Sequence, residues 1–350
     1  MCKNIYQLLR SAQIALNMKN FKKAEKYLRD VIEIDPENSD AFHALGVMEF
    51  TKGNIEKALE NFKKATQNNE NTKFLFNYAS VLLESGQFSR ALKVFYKILK
   101  ILPDHVPTLN KCISILGKMG ELTVAEKMCG IVIKLDSSNT DAYNNLGNLC
   151  KDQGKIEQAI SYYRKALSIK PDNSVAGSNL LLCFNYLHKD PQAVFTEHRE
   201  WELRNRRMDI INESVGPPEK PDKRQLSVGY ISADFRIHSV GYFIESIIRN
   251  HNNENFKIFC YADISAPDEI TERIKKSAFK WRSIYNVGDR EIITLIKKDG
   301  IDILVDLAGH SGRNKLSIFL NKPALIQVTY LGYPNTTGLS AIDYRITDAW

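Results

Sequence analysis

Residues 39–72 read SDAFHALGVMEFTKGNIEKALENFKKATQNNENT. Phe42, Leu45, Val47 and Phe50 are spaced to line one side of a first helix. Gly53 and Asn54 supply the turn residues that follow it. Ile55, Ala58, Leu59, Phe62 and Ala65 then recur at three- and four-residue spacing, as one face of a second helix does. Gly46 and Ala58 are small where two helices cross, and larger side chains would push the axes apart. The unit is not alone. Ala24, Ala58, Ala91, Ala125 and Ala159 stand 34, 33, 34 and 34 residues apart. Gly53, Gly86, Gly120 and Gly154 precede four of these alanines by five residues. Leu28, Phe62, Phe95 and Tyr163 follow four of them by four.

A fixed period near 34 residues of helix–turn–helix units is the mark of a tetratricopeptide (TPR) array. Five repeats fit residues 1–173, the fourth degenerate, with Cys129 at the aromatic position. A sixth first helix, Val175–Tyr186, and a helix Pro191–Met208 are expected to cap the stack over residues 174–211, since an array needs a closed end. Asn77, Lys111, Asn145 and Asn179 keep the same period on successive first helices. One reading is a ladder of amide groups along a concave groove, gripping the backbone of an extended acceptor polypeptide. The other is a row of solvated surface asparagines.

Composition narrows the rest. A chain of 350 residues with 43% hydrophobic and 25% charged residues fits an ordinary globular protein of about two domains. No apolar run is long enough to span a bilayer, and the N-terminus lacks the apolar core of a signal peptide. Six scattered cysteines, without a CxxC pair, fit a reducing compartment, so a cytoplasmic location is expected. The net charge of +7 is spread among alternating lysines and glutamates, and no basic stripe points to nucleic acid.

Residues 212–224, rich in proline and charge, break the helical pattern and read as a linker. From residue 225 the pattern becomes that of strands alternating with helices. The expected strands are 226–235, 257–263, 281–286, 301–309, 325–333 and 344–347, with helices over 240–250, 268–279, 289–300 and 314–322. This alternation argues a Rossmann-like parallel sheet covered on both faces, with ligands at the carboxyl ends of the strands. Unusual residues gather there: Asp234, Arg236 and His238 after the first strand; Asp306, Gly309, His310 and Arg313 after the fourth; Gly332, Tyr333, Pro334, Thr336 and Gly338 after the fifth. Each has a plainer reading. A histidine past a strand often only caps a helix, an aspartate there often only ties a loop, and GYP is a serviceable turn. No GxGxxG, Walker loop, GxSxG or HExxH is present.

Three segments, VGYISADFRIHSVGYF (228–243), DILVDLAGHSGRNK (302–315) and QVTYLGYPNTTGLSAIDYRITD (327–348), closely resemble the O-linked N-acetylglucosamine (O-GlcNAc) transferase family, which includes the SPINDLY-type fucosyltransferases. The order of repeats before lobe matches as well. The resemblance implies an all-α TPR superhelix followed by an α/β Rossmann-like lobe, the N-terminal lobe of a glycosyltransferase-B fold, over residues 225–350. It implies inverting, metal-independent transfer of N-acetylglucosamine from UDP-GlcNAc to Ser or Thr of proteins, with no cofactor beyond the donor. His238 matches the family histidine near the reacting sugar, where it either handles the acceptor's proton or acts by position and charge. Leu331, Gly332 and Pro334 match the family's LGYP loop beside the donor sugar, and Tyr333, His310 and Thr336 are carried with them as donor-side candidates. The expected partners are protein or peptide acceptors in the groove, a nucleotide sugar, and a second copy of the chain through the repeats; nucleic acid and membrane are not.

Two departures matter. In the family a second lobe, holding most of the nucleotide, lies beyond the position where this chain stops at Trp350, so the chain alone is expected to be inactive. Gly177 stands where many bacterial relatives are expected to carry a histidine, which removes a second acid–base candidate. The alternatives are a catalytically incomplete TPR adaptor and a SPINDLY-type protein O-fucosyltransferase.

Overall fold

The computed structural model describes residues 2–67, 69–187, 190–206 and 224–348. The expected linker, 212–224, lies outside them except for Arg224. The chain divides into two compact units, residues 1–145 and 146–350.

The first unit is an array of helical hairpins: α1 (Cys2–Asn17) with α2 (Phe21–Ile34), α3 (Ser39–Thr51) with α4 (Ile55–Ala65), α5 (Thr72–Glu84) with α6 (Phe88–Ile101), and α7 (Val106–Lys118) with α8 (Leu122–Leu135). The turn glycines Gly53, Gly86 and Gly120 have φ of 83°, 76° and 80°, the left-handed region that a side chain disfavours. Asn20, Asn38 and Asn71 cap the next helices by accepting backbone N–H groups. The periodic alanines Ala24, Ala58, Ala91 and Ala125 are fully buried.

One expectation shifts. In α3 the buried residues are Ala41, Leu45, Gly46, Met48 and Glu49, whereas Phe42, Val47 and Phe50 are only half-buried. A first helix packs against the second helices on both sides, so its apolar surface wraps around rather than forming one stripe. The small residue Gly46 lies against Phe62, where a Cβ would fall 2.8 Å from the ring.

The second unit begins within α9 (Thr140–Asp152) and continues through α10 (Ile156–Ile169), α11 (Ser174–Phe184) and α12 (Pro191–Asn205). The Gly147–Tyr163 pair repeats the Gly46–Phe62 packing. The sheet follows: β1 (Leu226–Ser232), α13 (Ser239–Arg249), β2 (Phe256–Ala262), α14 (Glu269–Ser277), β3 (Lys280–Ser283), α15 (Asp289–Asp299), β4 (Ile303–Asp306), α16 (Leu316–Phe319), β5 (Ile326–Tyr330) and β6 (Tyr344–Ile346). All six strands are parallel, in the order β3-β2-β1-β4-β5-β6. One face carries Val228, Tyr230, Ile258, Cys260 and Val305 against Ile244 and Ile248 of α13 and Ile270 and Ile274 of α14. The other carries buried Ile231, Phe259, Tyr261 and Leu304, with Tyr261 donating a hydrogen bond to Asp299 of α15. Burial on both faces is why the strands read as near-continuous apolar runs.

Candidate active site

The order of the sheet reverses direction at the β1–β4 pair. In open parallel sheets the crevice at such a switch point, at the carboxyl ends of the strands, is where ligands bind. The loops after β1, β4 and β5 therefore define the candidate site.

The β1 loop ends in a helix cap. His238 is the N-cap of α13, with Nδ1 accepting the Val240 N–H at 3.2 Å. This settles the chemistry of the ring. With the Nδ1 lone pair engaged, the proton of the neutral imidazole sits on Nε2, so the ring offers a donor outward. To act as a base through Nε2 it would have to give up the cap. The His238 side chain is 39% exposed, and Nδ1 lies 3.8 Å from Asp234 Oδ2.

Two residues at the start of α14, its N-cap Asp268 and Thr271, hold this loop. Asp268 accepts the Ile237 N–H at 2.6 Å and the Thr271 N–H at 3.0 Å, and Thr271 Oγ1 donates to the Phe235 carbonyl at 2.7 Å. Burial raises the Asp268 pKa, but these hydrogen bonds outweigh it and the net shift is downward. Neither residue was singled out from sequence, although the capping pattern D-x-x-T at 268–271 is visible there. Asp268→Ala is expected to cost about 1–2 kcal/mol. Because the folded pKa is depressed, that contribution is present above the unfolded carboxylate pKa and is lost as pH falls through the folded value. Urea titrations of wild type and variant at pH 7 and pH 3 check this; equal stabilities at pH 7 would contradict it.

After β4, Asp306 is only 1% exposed and accepts from Ala308 N at 3.1 Å, Gly309 N at 2.8 Å and Thr329 Oγ1 at 2.8 Å. Burial raises its pKa. It ties the loop, which is the plainer of its two readings. Beyond it, Asp263 at the end of β2 pairs with Arg313 and Lys315, each at 3.2 Å.

After β5 the backbone makes a strained three-residue turn. Gly332 N–H donates to the Tyr330 carbonyl at 3.0 Å across Leu331, whose φ is 75°. Gly332 lies on the β4 loop, where a Cβ would fall 2.8 Å from the Leu307 carbonyl carbon and 3.0 Å from Ala308 Cα. The Leu331 side chain packs on the core that contains Leu307. Pro334 is exposed and Thr336 half-buried, with Oγ1 accepting from Gly338 N at 3.1 Å.

Two donor-side expectations need correction. His310 is 1% exposed and both ring nitrogens are engaged: Nε2 donates to the Thr337 carbonyl at 2.9 Å, and Nδ1 accepts from Ser178 Oγ at 3.1 Å. Tyr333 is likewise buried, its hydroxyl 2.9 Å from His198 Nε2 and 3.2 Å from the Leu181 carbonyl. Both side chains turn from the crevice into a seam with α11 and α12. Gly177 also has a packing reason here: a Cβ would lie 2.6 Å from Trp201.

Burial lowers the His310 pKa from 6.5 to about 3, with the neighbouring His198 adding to the effect. The unfolded chain takes up that proton at a higher pH than the folded one. Stability from this residue is thus complete above pH 6.5 and falls, by about 1.4 kcal/mol per pH unit, on acidification towards 3. His310→Gln keeps a donor and an acceptor without the titration. It is expected to flatten the slope of stability between pH 6.5 and 5; an unchanged slope would refute the assignment.

The comparisons with known proteins agree with this architecture. A family model described as glycosyl transferase family 41 matches residues 206–350, and tetratricopeptide repeat models match 8–38, 49–111 and 140–173. The chain is similar to a probable UDP-N-acetylglucosamine–peptide N-acetylglucosaminyltransferase SPINDLY of Oryza sativa, 41% identical over 195 residues, covering 54% of this chain and 21% of the relative. It is similar to the probable transferase SEC of Arabidopsis thaliana, 39% identical over 127 residues, 36% of this chain and 13% of the relative. A mutant O-GlcNAc transferase of Thermobaculum terrenum superposes with a TM-score of 0.73 at 31% identity, covering 79% of this chain and 53% of that one. The chain thus spans about a fifth of the rice relative and about half of the solved structure.

Proposed function

We propose, for a chain that belongs to the TPR-containing O-GlcNAc transferase family, that it supplies the acceptor arm and one catalytic lobe of a protein O-glycosyltransferase. The reaction moves N-acetylglucosamine from UDP-GlcNAc to a Ser or Thr hydroxyl, with inversion and without a metal. The observation that supports this reading is the switch-point topology, which puts the loops after β1, β4 and β5, with His238 on the first and the strained LGYP turn on the last, at the carboxyl ends of adjacent strands.

Inverting transfer needs the acceptor oxygen aligned with the anomeric carbon, its proton removed, and the leaving diphosphate stabilised. His238, capped through Nδ1, serves the first need as a hydrogen-bond donor that orients the acceptor and stabilises developing negative charge. It is not the base while the cap holds. The backbone of Leu331 and Gly332 borders the donor sugar, and Pro334 forms the exposed rim. Thr336 stands further along the same loop. Of the described helices, none is long and apolar enough to cross a membrane. With Cys112, Cys183 and Cys260 as buried thiols, a cytoplasmic setting is part of the proposal. So is pairing with a second copy through the repeats.

The reaction is tested on the intact protein with a Ser/Thr peptide, UDP-GlcNAc or GDP-fucose, and EDTA. The proposal expects transfer from UDP-GlcNAc in EDTA, with product of inverted anomeric configuration. Transfer from GDP-fucose alone would establish the fucosyl reading instead, and dependence on added metal would contradict the mechanism.

Acceptor binding in the first unit is proposed to fall to the periodic polar residues Asn77, Lys111 and Asn145; Asn179, on α11 of the second unit, is proposed by itself as a polar contact of the same kind. The Asn77 amide donates to His43 Nε2 at 2.9 Å, which fixes its orientation. Asn77→Ala with Asn145→Ala is expected to raise the KM for the peptide about ten-fold, at about 0.5–1.5 kcal/mol per hydrogen bond, while the array stays folded at a cost in stability of about the same size for the lost Asn77–His43 bond. An unchanged peptide KM would sink the ladder.

A further inference from the structure

The loop that follows β5 is not held by the sheet alone. At Tyr333, Gly338 and Ser340 it is hydrogen-bonded to α11 and α12, the last helices of the repeat region. His198 is fully buried on α12 and donates through Nδ1 to the Val194 carbonyl at 2.7 Å, which leaves Nε2 to accept from the Tyr333 hydroxyl at 2.9 Å. The same hydroxyl lies 3.2 Å from the Leu181 carbonyl, in the last turn of α11, where helix carbonyls lack helical partners. Further along, Gly338 (φ 71°) lies directly on the His198 backbone: a Cβ there would fall 2.7 Å from its carbonyl oxygen. Arg199 donates to the Gly338 carbonyl at 3.0 Å. Glu202, 1% exposed, accepts from the Ser340 N–H at 3.2 Å and from its hydroxyl, and pairs with Arg199.

A buried carboxylate and a buried imidazole are costly unless fully bonded. Here each spends one side of its bonding capacity within α12, on Val194 and Arg199, and the other on the loop, at Tyr333 and Ser340. The contiguous segment Leu331–Pro334, with its strained turn, enters that loop directly. We infer that His198 and Glu202 of α12 are positioning residues for the donor-side loop, so that the end of the repeat array is a working part of the transferase site. The two residues act through Tyr333 and Ser340 and touch no substrate. The inference rests on the proposed reading in one respect, that the 331–334 backbone borders the donor sugar. It adds what no strand-end motif discloses: helices more than 130 residues away in sequence hold that backbone in place.

The test pairs a structural readout with a kinetic one. Hydrogen exchange of the 331–343 segment is followed in the chain for wild type, His198→Ala, Glu202→Ala and Glu202→Gln. KM values for UDP-GlcNAc and for peptide are measured on the intact protein. The alanine variants are expected to speed exchange in the segment at least about ten-fold, while β1 and α13 keep their protection. They raise the donor KM by roughly 10–100-fold and leave the peptide KM unchanged. Glu202→Gln keeps an oxygen for Ser340 and restores both readouts towards wild type. Should an alanine variant fail to fold, Ser340→Ala on the exposed side replaces it, with faster exchange confined to the segment as the expected result. Unchanged exchange, or faster exchange spread equally over the whole unit, would overturn the inference. An intact protein inactive towards UDP-GlcNAc would defeat the proposed function instead, while exchange would still decide whether α12 holds the loop.

Discussion

Gly332→Ala is expected to destabilise the second unit by about 3 kcal/mol and to cut sugar transfer roughly 100-fold. The reason is local and steric. A Cβ at this position meets the backbone of Leu307 and Ala308, the carbonyl carbon at 2.8 Å and the Cα at 3.0 Å. Backbone cannot rotate away as a side chain can. Either the β4 loop moves, carrying the Asp306 hydrogen bonds to Ala308 and Gly309 with it, or the turn at Leu331 opens. Either movement displaces the crevice wall. Gly312→Ala is the control: its Cβ would meet nothing within 4 Å, so stability should stay within about 0.5 kcal/mol. Chemical denaturation of the two variants decides the matter. If Gly332→Ala melts like Gly312→Ala, the close approach of the two loops is wrong.

The second large effect falls on His238. His238→Ala removes both a cap and an outward N–H donor. Loss of the cap should cost about 1 kcal/mol, and loss of the donor about 100-fold or more in transfer rate. The two are separated by His238→Asn. Asparagine is among the best N-caps, so stability should return while the rate stays low. If both variants transfer sugar within a few-fold of wild type, His238 has no part in the reaction. If His238→Asn alone recovers the rate, the residue matters only as a cap.

Much of the fold was legible because period is a one-dimensional signal. The alanines at Ala24, Ala58, Ala91, Ala125 and Ala159 mark a hairpin that repeats, and burial of strands on two faces leaves apolar runs such as ILVD at β4. The strand-end loops were likewise visible as breaks rich in glycine and polar residues. What was not legible is direction. A histidine after β4 reads the same whether it points into the crevice or into the seam, and His310 points into the seam because Ser178, Trp201 and Thr337 wait there. These partners lie far off in sequence, and no spacing rule links them. Tyr333 is hidden by the same logic, since its hydroxyl partners His198 and Leu181 lie on other helices. The helix expected at 314–322 is the short α16, Leu316–Phe319, because Asn314 is spent on the β4 loop, donating to the Ser311 carbonyl at 3.0 Å, and Lys322 has a φ of 43°. Asp268 was within reach: its capping pattern is local, but its bond to Ile237, which steadies the histidine, spans 31 residues.

We propose that the carboxyl ends of β1, β4 and β5 form a sugar-transfer site in which His238 takes part. The most direct measurement is the rate at which the intact protein labels a serine peptide from UDP-GlcNAc, wild type beside His238→Asn at matched thermal stability. The wild type is expected to label the peptide and the variant to do so about 100-fold more slowly. Equal rates in the two proteins would contradict it.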